Sequence, residues 1–270
     1  MKKTLGPISA KLITTLKQQG KEIFSLKEAA EILKRDSRKT ADLINELVKR
    51  EVVSRLKPGI YLILPLEADK NYLENWFVVA RELVAPHPYY ISHYSAMNFH
   101  HMLTHPVLKV FVSLNKRLCG RKISGVEFKF IYQSKKKFWG WKKYWASPGE
   151  KINVSTPEKT ILDGLTYPEC SGGISEVAQG IWLAKGKIDY KKLIDFAQKL
   201  NIKAVIKRLG FILELYQLGG KELYRLEKLI KNDRTYVKLE PLLPGTKKRL
   251  GKWKIILNLK PETLKKVIFS

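Results

Sequence analysis

Residues 37–63 hold the pattern that most restricts the fold, an amphipathic helix followed at once by two β-rich runs. In SRKTADLINELVKR, Leu43, Ile44 and Leu47 recur at helical spacing and predict one buried face. The runs VVSRL and IYLIL flank a KPG turn, which is typical of a β-hairpin. A helix and hairpin of this kind, preceded by two further helices, make a winged helix-turn-helix.

The segment before residue 37 predicts those two helices. Leu5, Ile8, Leu12, Ile13 and Leu16 recur at helical spacing. Ser25, with Glu28 three residues later, has the spacing of a capping box at the start of LKEAAEILK. A boundary is expected at Pro65 and the charged LEADKN that follows, so we predict a winged helix-turn-helix domain over residues 1–66.

The outward face of the third predicted helix carries the candidate DNA contacts. Arg38 and Asn45 have donors and acceptors that suit base edges, whereas Lys49 and the wing cations suit phosphates. Asp42 lies on the same face and repels phosphate unless it accepts from a cytosine amino group or pairs with Arg38. The alternative is a small helical domain with a packing role only. The predicted contacts are Ser37, Arg38, Lys39, Asn45, Lys49, Arg55 and Lys57.

The charge balance points to an anionic partner. The 270-residue chain has 51 Lys and Arg against 25 Asp and Glu, a formal net charge of +26, which favours nucleic acid. No apolar run approaches the roughly 18 residues that span a bilayer, so a soluble, cytoplasmic protein with no membrane partner is expected. Two cysteines, Cys119 and Cys170, support neither a disulfide framework nor a zinc site.

Residues 67–270 predict a larger mixed domain whose C-terminal part is mostly helical. An amphipathic helix starts near Tyr72, and the runs VLKVFVSL, GVEFKFIYQ, FWGWKKYWAS and KINVS read as consecutive strands. Helices are predicted over 156–166, 174–184, 190–199, 202–217 and 221–231, with short strands near 236–239 and 253–259. At the start of the first of these helices, Ser155 and Glu158 have capping-box spacing. The order predicts an α+β fold.

All five histidines lie between residues 87 and 105. Ser92 is expected to cap a helix that includes His93 and His100, and seven residues of helix place these two roughly 10 Å apart, too far for one ion. His101 and His105 have metal-ligand spacing, but Pro106 ends the helix and no acidic or cysteine ligand is nearby. We therefore expect a structural role for the histidines and no metal or other cofactor.

Two further patterns concern nucleic acid. Glu127 and Lys129 in VEFKF match the E-x-K pattern of restriction-type nucleases, but Glu127 is the only acidic residue between Leu83 and Gly149, so a metal would lack a second carboxylate. The segment QSKKKFWGWKKYW interleaves cations with aromatic residues and is either a second anion-binding surface or a hairpin with a buried aromatic face. Its basic residues are Lys135, Lys136, Lys137, Lys142 and Lys143.

Several segments together resemble the AbiEi family, the antitoxins of type IV toxin–antitoxin systems. YYISHYSAMNFHHMLTH, VSTPEKTILDGLTYPECSGGISEV and IKRLGFILELY are similar to that family's motifs and occur in its order, after the wing LKPGIYLIL. One departure is His100-His101-Met102, where the family has His-Gly-Leu. The match spans most of residues 20–220.

The resemblance implies a transcriptional regulator rather than an enzyme. It would bind operator DNA, expected to contain inverted repeats, repress its own operon and counteract a nucleotidyltransferase toxin without requiring a stable complex. The larger domain, residues 67–270, would supply antitoxicity and co-repression. The alternative is an RNA-binding or RNA-cleaving protein with a helix-turn-helix appendage.

Overall fold

A computed structural model describes residues 5–64, 73–105, 109–123, 125–147, 150–246 and 248–265. The predicted α+β class is confirmed, with helices and several sheets in one chain. No helix within these ranges combines the length and the apolar character needed to cross a bilayer.

The N-terminal unit has the element order of a winged helix. Its capping box is confirmed, since the Glu28 amide donates to Ser25 Oγ (3.1 Å) and the Ser25 amide donates to Glu28 Oε2 (2.8 Å). The sheet order is β1-β3-β2, and Gly59 has the positive φ of 74° that the wing turn requires. The elements are α1 (Pro7–Gln18), β1 (Ile23–Ser25), α2 (Leu26–Leu33), α3 (Ser37–Lys49), β2 (Val53–Lys57) and β3 (Ile60–Ile63).

A six-stranded mixed sheet forms the centre of the molecule. Its order is β6-β7-β5-β4-β9-β8, so β6 and β8 are the edges. Helix α4 packs on one face and α6 on the opposite face, while α5 contacts both layers, with Ala96 and Phe99 in the α4 cluster and Met97 in the α6 cluster. The elements are α4 (Leu73–Val84), β4 (Tyr89–Ile91), α5 (His93–Phe99), β5 (Lys109–Leu114), β6 (Arg121–Ile123), β7 (Val126–Tyr132), β8 (Trp141–Ser147) and β9 (Glu150–Ser155).

The C-terminal part is a helical layer with a small sheet of order β10-β12-β11. Its core is a large apolar cluster around Leu162, Ile181, Leu209 and Trp253. The elements are α6 (Pro157–Thr166), α7 (Ile174–Leu183), α8 (Tyr190–Leu200), α9 (Lys203–Leu215), α10 (Leu223–Ile230), β10 (Val237–Lys238), β11 (Arg249–Leu250), β12 (Ile255–Ile256) and α11 (Pro261–Lys265). The predicted helices therefore occur within one or two residues of their expected ends.

The side-chain bonds of two predicted helix caps do not form. Thr156, not Ser155, caps α6, because the Ser155 hydroxyl instead bonds to Thr160 Oγ1 at 2.7 Å. The predicted capping box between Ser155 and Glu158 does not form, and the Glu158 carboxylate accepts from Lys192 Nζ at 2.6 Å. Ser92 holds the N-cap position immediately before α5, as expected, but its side chain makes no cap bond and accepts from Ser113 Oγ at 2.9 Å. In both cases another partner takes the hydroxyl or carboxylate that a cap would use.

Apolar contacts cross the predicted domain boundary, which itself lies outside the described residues. Leu56 and Leu62 of the wing are 3% and 5% exposed and belong to the same cluster as Phe77 and Val79 of α4. Arg121 of edge strand β6 donates to the Leu56 carbonyl at 3.3 Å. The wing therefore packs on α4 and beside β6.

Candidate nucleic-acid interface

Helix α3 is fixed at its start and along one face. Asp36 caps it by accepting from the amides of Arg38 (2.8 Å) and Lys39 (3.1 Å), and these backbone bonds hold the pKa of the Asp36 carboxyl below its usual value. Ile44 and Leu47 are buried in the N-terminal core. The inward side of α3 is therefore committed to packing and its outward side is left to solvent.

The outward face presents the residues expected from the sequence. Arg38, Asp42, Asn45 and Lys49 are all exposed. Asp42 makes no ion pair with Arg38 among the described contacts, so its charge remains on this face. The Lys49 ammonium lies 2.8 Å from Glu46 Oε1, which raises its pKa, but both side chains are mostly exposed and such pairs are weak. Ser37 and Lys39, also predicted contacts, are exposed in the first turn.

The structure separates the two predicted wing contacts. Arg55 is exposed on β2, opposite Tyr61. The register then shifts before Lys57, whose Nζ donates to the Glu82 carbonyl at 2.7 Å and approaches the Ala85 carbonyl at 3.5 Å. Lys57 therefore binds the C-terminal end of α4, where a cation is favoured by unpaired carbonyls. Of the two predicted wing contacts, only Arg55 is left exposed to solvent.

In the predicted second basic surface, most lysines are exposed whereas most aromatic rings are half-buried. Phe138 and Trp139 lie in the loop before β8 and, with Trp141, are half-buried. Trp145 is the exception, at 62% exposed. Of the basic residues on this surface, Lys137 is half-buried and Lys135, Lys136, Lys142 and Lys143 are exposed.

His93, His100 and His105 hydrogen-bond to different partners, and their side chains do not converge on one point. His93 is completely buried, with Nδ1 2.8 Å from Ser92 Oγ, and burial lowers its pKa to about 4. His100 Nε2 lies 2.6 Å from the Ser155 carbonyl, and His105 Nε2 lies 2.6 Å from the Tyr94 hydroxyl. In the described ranges, no three His, Cys, Asp or Glu side chains are grouped so that they could hold a metal ion.

Glu127 of the E-x-K pattern lies between two lysines. Its carboxylate is 3.4 Å from Lys109 Nζ and 3.6 Å from Lys129 Nζ, and all three side chains are partly exposed on adjacent strands. The lysines neutralise the carboxylate and occupy the space beside it. The arrangement is that of surface ion pairs on the polar face of the sheet.

A buried polar cluster beneath the sheet was not foreseen as a unit. Lys159 and Asp163, one turn apart on α6, form an ion pair at 1% and 4% side-chain exposure, and Lys159 Nζ also lies 3.3 Å from the Tyr90 hydroxyl. Burial and the Asp163 charge raise the pKa of Tyr90 well above its ordinary value. The i, i+4 spacing indicated the ion pair, but the sequence carried no sign that Tyr90, 69 residues earlier, joins it.

Comparison with known proteins supports the fold and assigns no activity. No family model matches the chain, and no curated protein matches it. The chain is similar to the crystal structure of the RV2827C protein from Mycobacterium tuberculosis, with a TM-score of 0.67 and 15% sequence identity. The match covers 99% of this chain and 96% of that one. The likeness therefore extends over both the winged helix and the larger α+β part.

Proposed function

We propose that the protein is a DNA-binding transcriptional regulator that inserts α3 into the major groove of an operator. The observation that carries this proposal is the outward face of α3, where Arg38, Asn45 and Lys49 are exposed opposite the packed Ile44 and Leu47. A recognition helix of a helix-turn-helix reads bases in this way, while the wing contacts the flanking backbone. The net charge of +26 provides attraction to phosphate.

The finer proposal is an antitoxin of the AbiEi type that represses its own operon and counteracts a nucleotidyltransferase toxin. The motif resemblance between residues 20 and 220 supports it. The winged helix would provide autorepression and residues 67–270 would provide antitoxicity. Neither role requires a cofactor.

The first experiment measures binding to DNA from the region upstream of the gene. Fluorescence anisotropy with this duplex and with a scrambled duplex, at one fixed salt concentration, should show at least about 1,000-fold tighter binding to the upstream DNA. Equal affinity for the two duplexes would contradict a sequence-specific regulator.

A second experiment tests the antitoxin role separately. A neighbouring nucleotidyltransferase gene is expressed with and without this chain, and growth is measured. Growth should recover with the parent chain and also with Asn45→Ala, because antitoxicity is assigned to residues 67–270 and not to α3. Recovery that requires Asn45 would place both roles in the winged helix.

A further inference from the structure

Trp145 is a large apolar side chain left open to solvent. Among the tryptophans in the described residues it alone is exposed, at 62%, whereas Trp253 is buried and the others are half-buried. It lies on the edge strand β8, in the segment where cations and aromatic residues alternate. Exposing an indole ring to water is unfavourable in free energy, and such a ring is well suited to stacking on a nucleic-acid base.

Two lysines share the face of the sheet on which Trp145 lies. Lys151 is its direct cross-strand partner on β9, with Nζ 4.1 Å from the centre of the indole ring. Lys143 is two residues away on β8, so its side chain is on the same face, and it is exposed. The ring therefore lies against one ammonium group and shares its face of the sheet with a second, exposed lysine.

The fold does not need this ring. The alternate residues of β8, Tyr144 and Ala146, point to the other face and pack in the cluster beneath α4, where Tyr144 contacts Phe99 at a ring distance of 5.1 Å. They anchor the strand. The nearest acidic side chain in sequence, Glu150, is ion-paired with Arg81 at 2.6 Å, so its negative charge is offset.

We propose that Trp145, Lys143 and Lys151 bind single-stranded nucleic acid. An unpaired base would stack on the face of the indole ring that Lys151 leaves free, and the flanking phosphates would bind the two ammonium groups. Duplex DNA does not fit, because its bases are already stacked on one another. This site is independent of the operator proposal and uses none of its residues.

The site is also separate from the winged helix in space. The wing packs beside β6, one edge of the six-stranded sheet, whereas Trp145 lies on β8, the other edge. Five inter-strand spacings separate these edges, a distance of about 24 Å. One protein could therefore hold a duplex at α3 and a single strand at Trp145.

The test measures anisotropy of a fluorescein-labelled 12-nucleotide oligo(dT) and of oligo(U) with the parent protein and Trp145→Ala. The alanine variant should bind at least one strand roughly 5- to 150-fold more weakly, and Trp145→Phe should recover most of that loss. The tighter of the two strands identifies DNA or RNA as the ligand. Operator duplex binding by Trp145→Ala should equal that of the parent.

Tyr224→Ala is the matched control. Tyr224 is 61% exposed and also has a lysine over its ring, with Lys228 Nζ at 4.4 Å from the ring centre, but it lies on α10 outside the proposed site. It should bind both strands as tightly as the parent. An equal loss in Tyr224→Ala and Trp145→Ala, or no binding of either strand by the parent, would overturn the proposal. If the parent protein binds a single strand but shows no preference for operator DNA over scrambled DNA, only the proposal of a transcriptional regulator is refuted.

Discussion

His93 shows how burial of one side chain couples stability to pH. Its backbone is in the left-handed region at φ 51°, and the imidazole lies against the Phe111 and Tyr167 rings. Burial lowers its pKa to about 4, with Asp163 and Lys159 acting in opposite directions. The unfolded chain takes up a proton near pH 6.5, but the folded protein resists protonation until about pH 4.

We therefore expect the free energy of unfolding to be highest above pH 6.5 and to fall by about 3 kcal/mol as the pH drops towards 4. His93→Asn cannot take up this proton and tolerates the left-handed backbone. Its stability should fall less than that of the parent between pH 7 and 5, measured by urea unfolding. Burial also lowers the pKa of His100, so the variant should keep part of the dependence of unfolding free energy on pH. His101→Asn, at an exposed left-handed position with φ 57°, should match the parent.

Lys57 and Arg55, two residues apart on the wing, are expected to differ in role, one in stability and the other in DNA binding. Lys57 binds carbonyls at the end of α4, so Lys57→Met should lower the melting temperature while operator affinity changes little. Arg55→Ala should do the reverse, weakening the operator and a scrambled duplex about equally with no change in melting temperature. Thermal unfolding and anisotropy on the same two variants check this. Weaker DNA binding by Lys57→Met at unchanged stability would return Lys57 to the interface.

At the scale of the element, α3 should separate base reading from phosphate binding. Arg38→Ala or Asn45→Ala should cost about 1–3 kcal/mol on the operator and little on scrambled DNA, whereas Lys49→Ala should weaken both. Each variant should fold, because these side chains are exposed and lie opposite Ile44 and Leu47. The measurement is a titration of each variant on both duplexes at one salt concentration. If neither Arg38→Ala nor Asn45→Ala weakens operator binding, the segment from Lys135 to Lys143 becomes the leading candidate.

The same element shows what sequence could predict. In a helix with one apolar face, such as α3, the sequence pattern shows which side is buried and which is exposed. Residues 37–63 therefore correctly predicted the helix and the hairpin. The pattern of α6 does not show its exposed side, because Glu158, Lys159 and Asp163 are buried together with its apolar residues. The edge strand β6 was not predicted, since its three residues are too few to show alternation.

The candidate site was predictable where it is local and unpredictable where it depends on tertiary contacts. The exposure of Arg38 and Asn45 follows from helical periodicity alone. The diversion of Lys57 to α4 depends on a contact 25 residues away, and the exposure of Trp145 depends on which face of β8 the helices cover. Neither leaves a periodic signal in the sequence.

Across the whole molecule, the wing is held to the larger unit by both apolar and polar contacts. Leu56 and Leu62 are buried in the cluster that includes α4, and burying a leucine fully is worth about 1.5–3 kcal/mol. Lys57 and Arg121 add hydrogen bonds across the same junction. The orientation of the winged helix is therefore fixed against the sheet, so an operator bound at α3 has a defined position relative to the β6 edge.

The net charge of +26 makes a prediction for the whole molecule, because every lysine or arginine that neutralises a phosphate releases a counterion. We expect the logarithm of the operator association constant to fall with the logarithm of salt concentration with a slope of about −5 or steeper. Lys49→Ala should reduce the steepness by about 1, since one phosphate contact is lost. Lys191→Ala, an exposed lysine on α8 far along the chain from α3, should leave the slope unchanged. Anisotropy titrations between 50 and 300 mM potassium chloride, about a sixfold range, give the slope. A flat response would mean that the charge excess serves another partner and that α3 does not dock on a phosphate backbone.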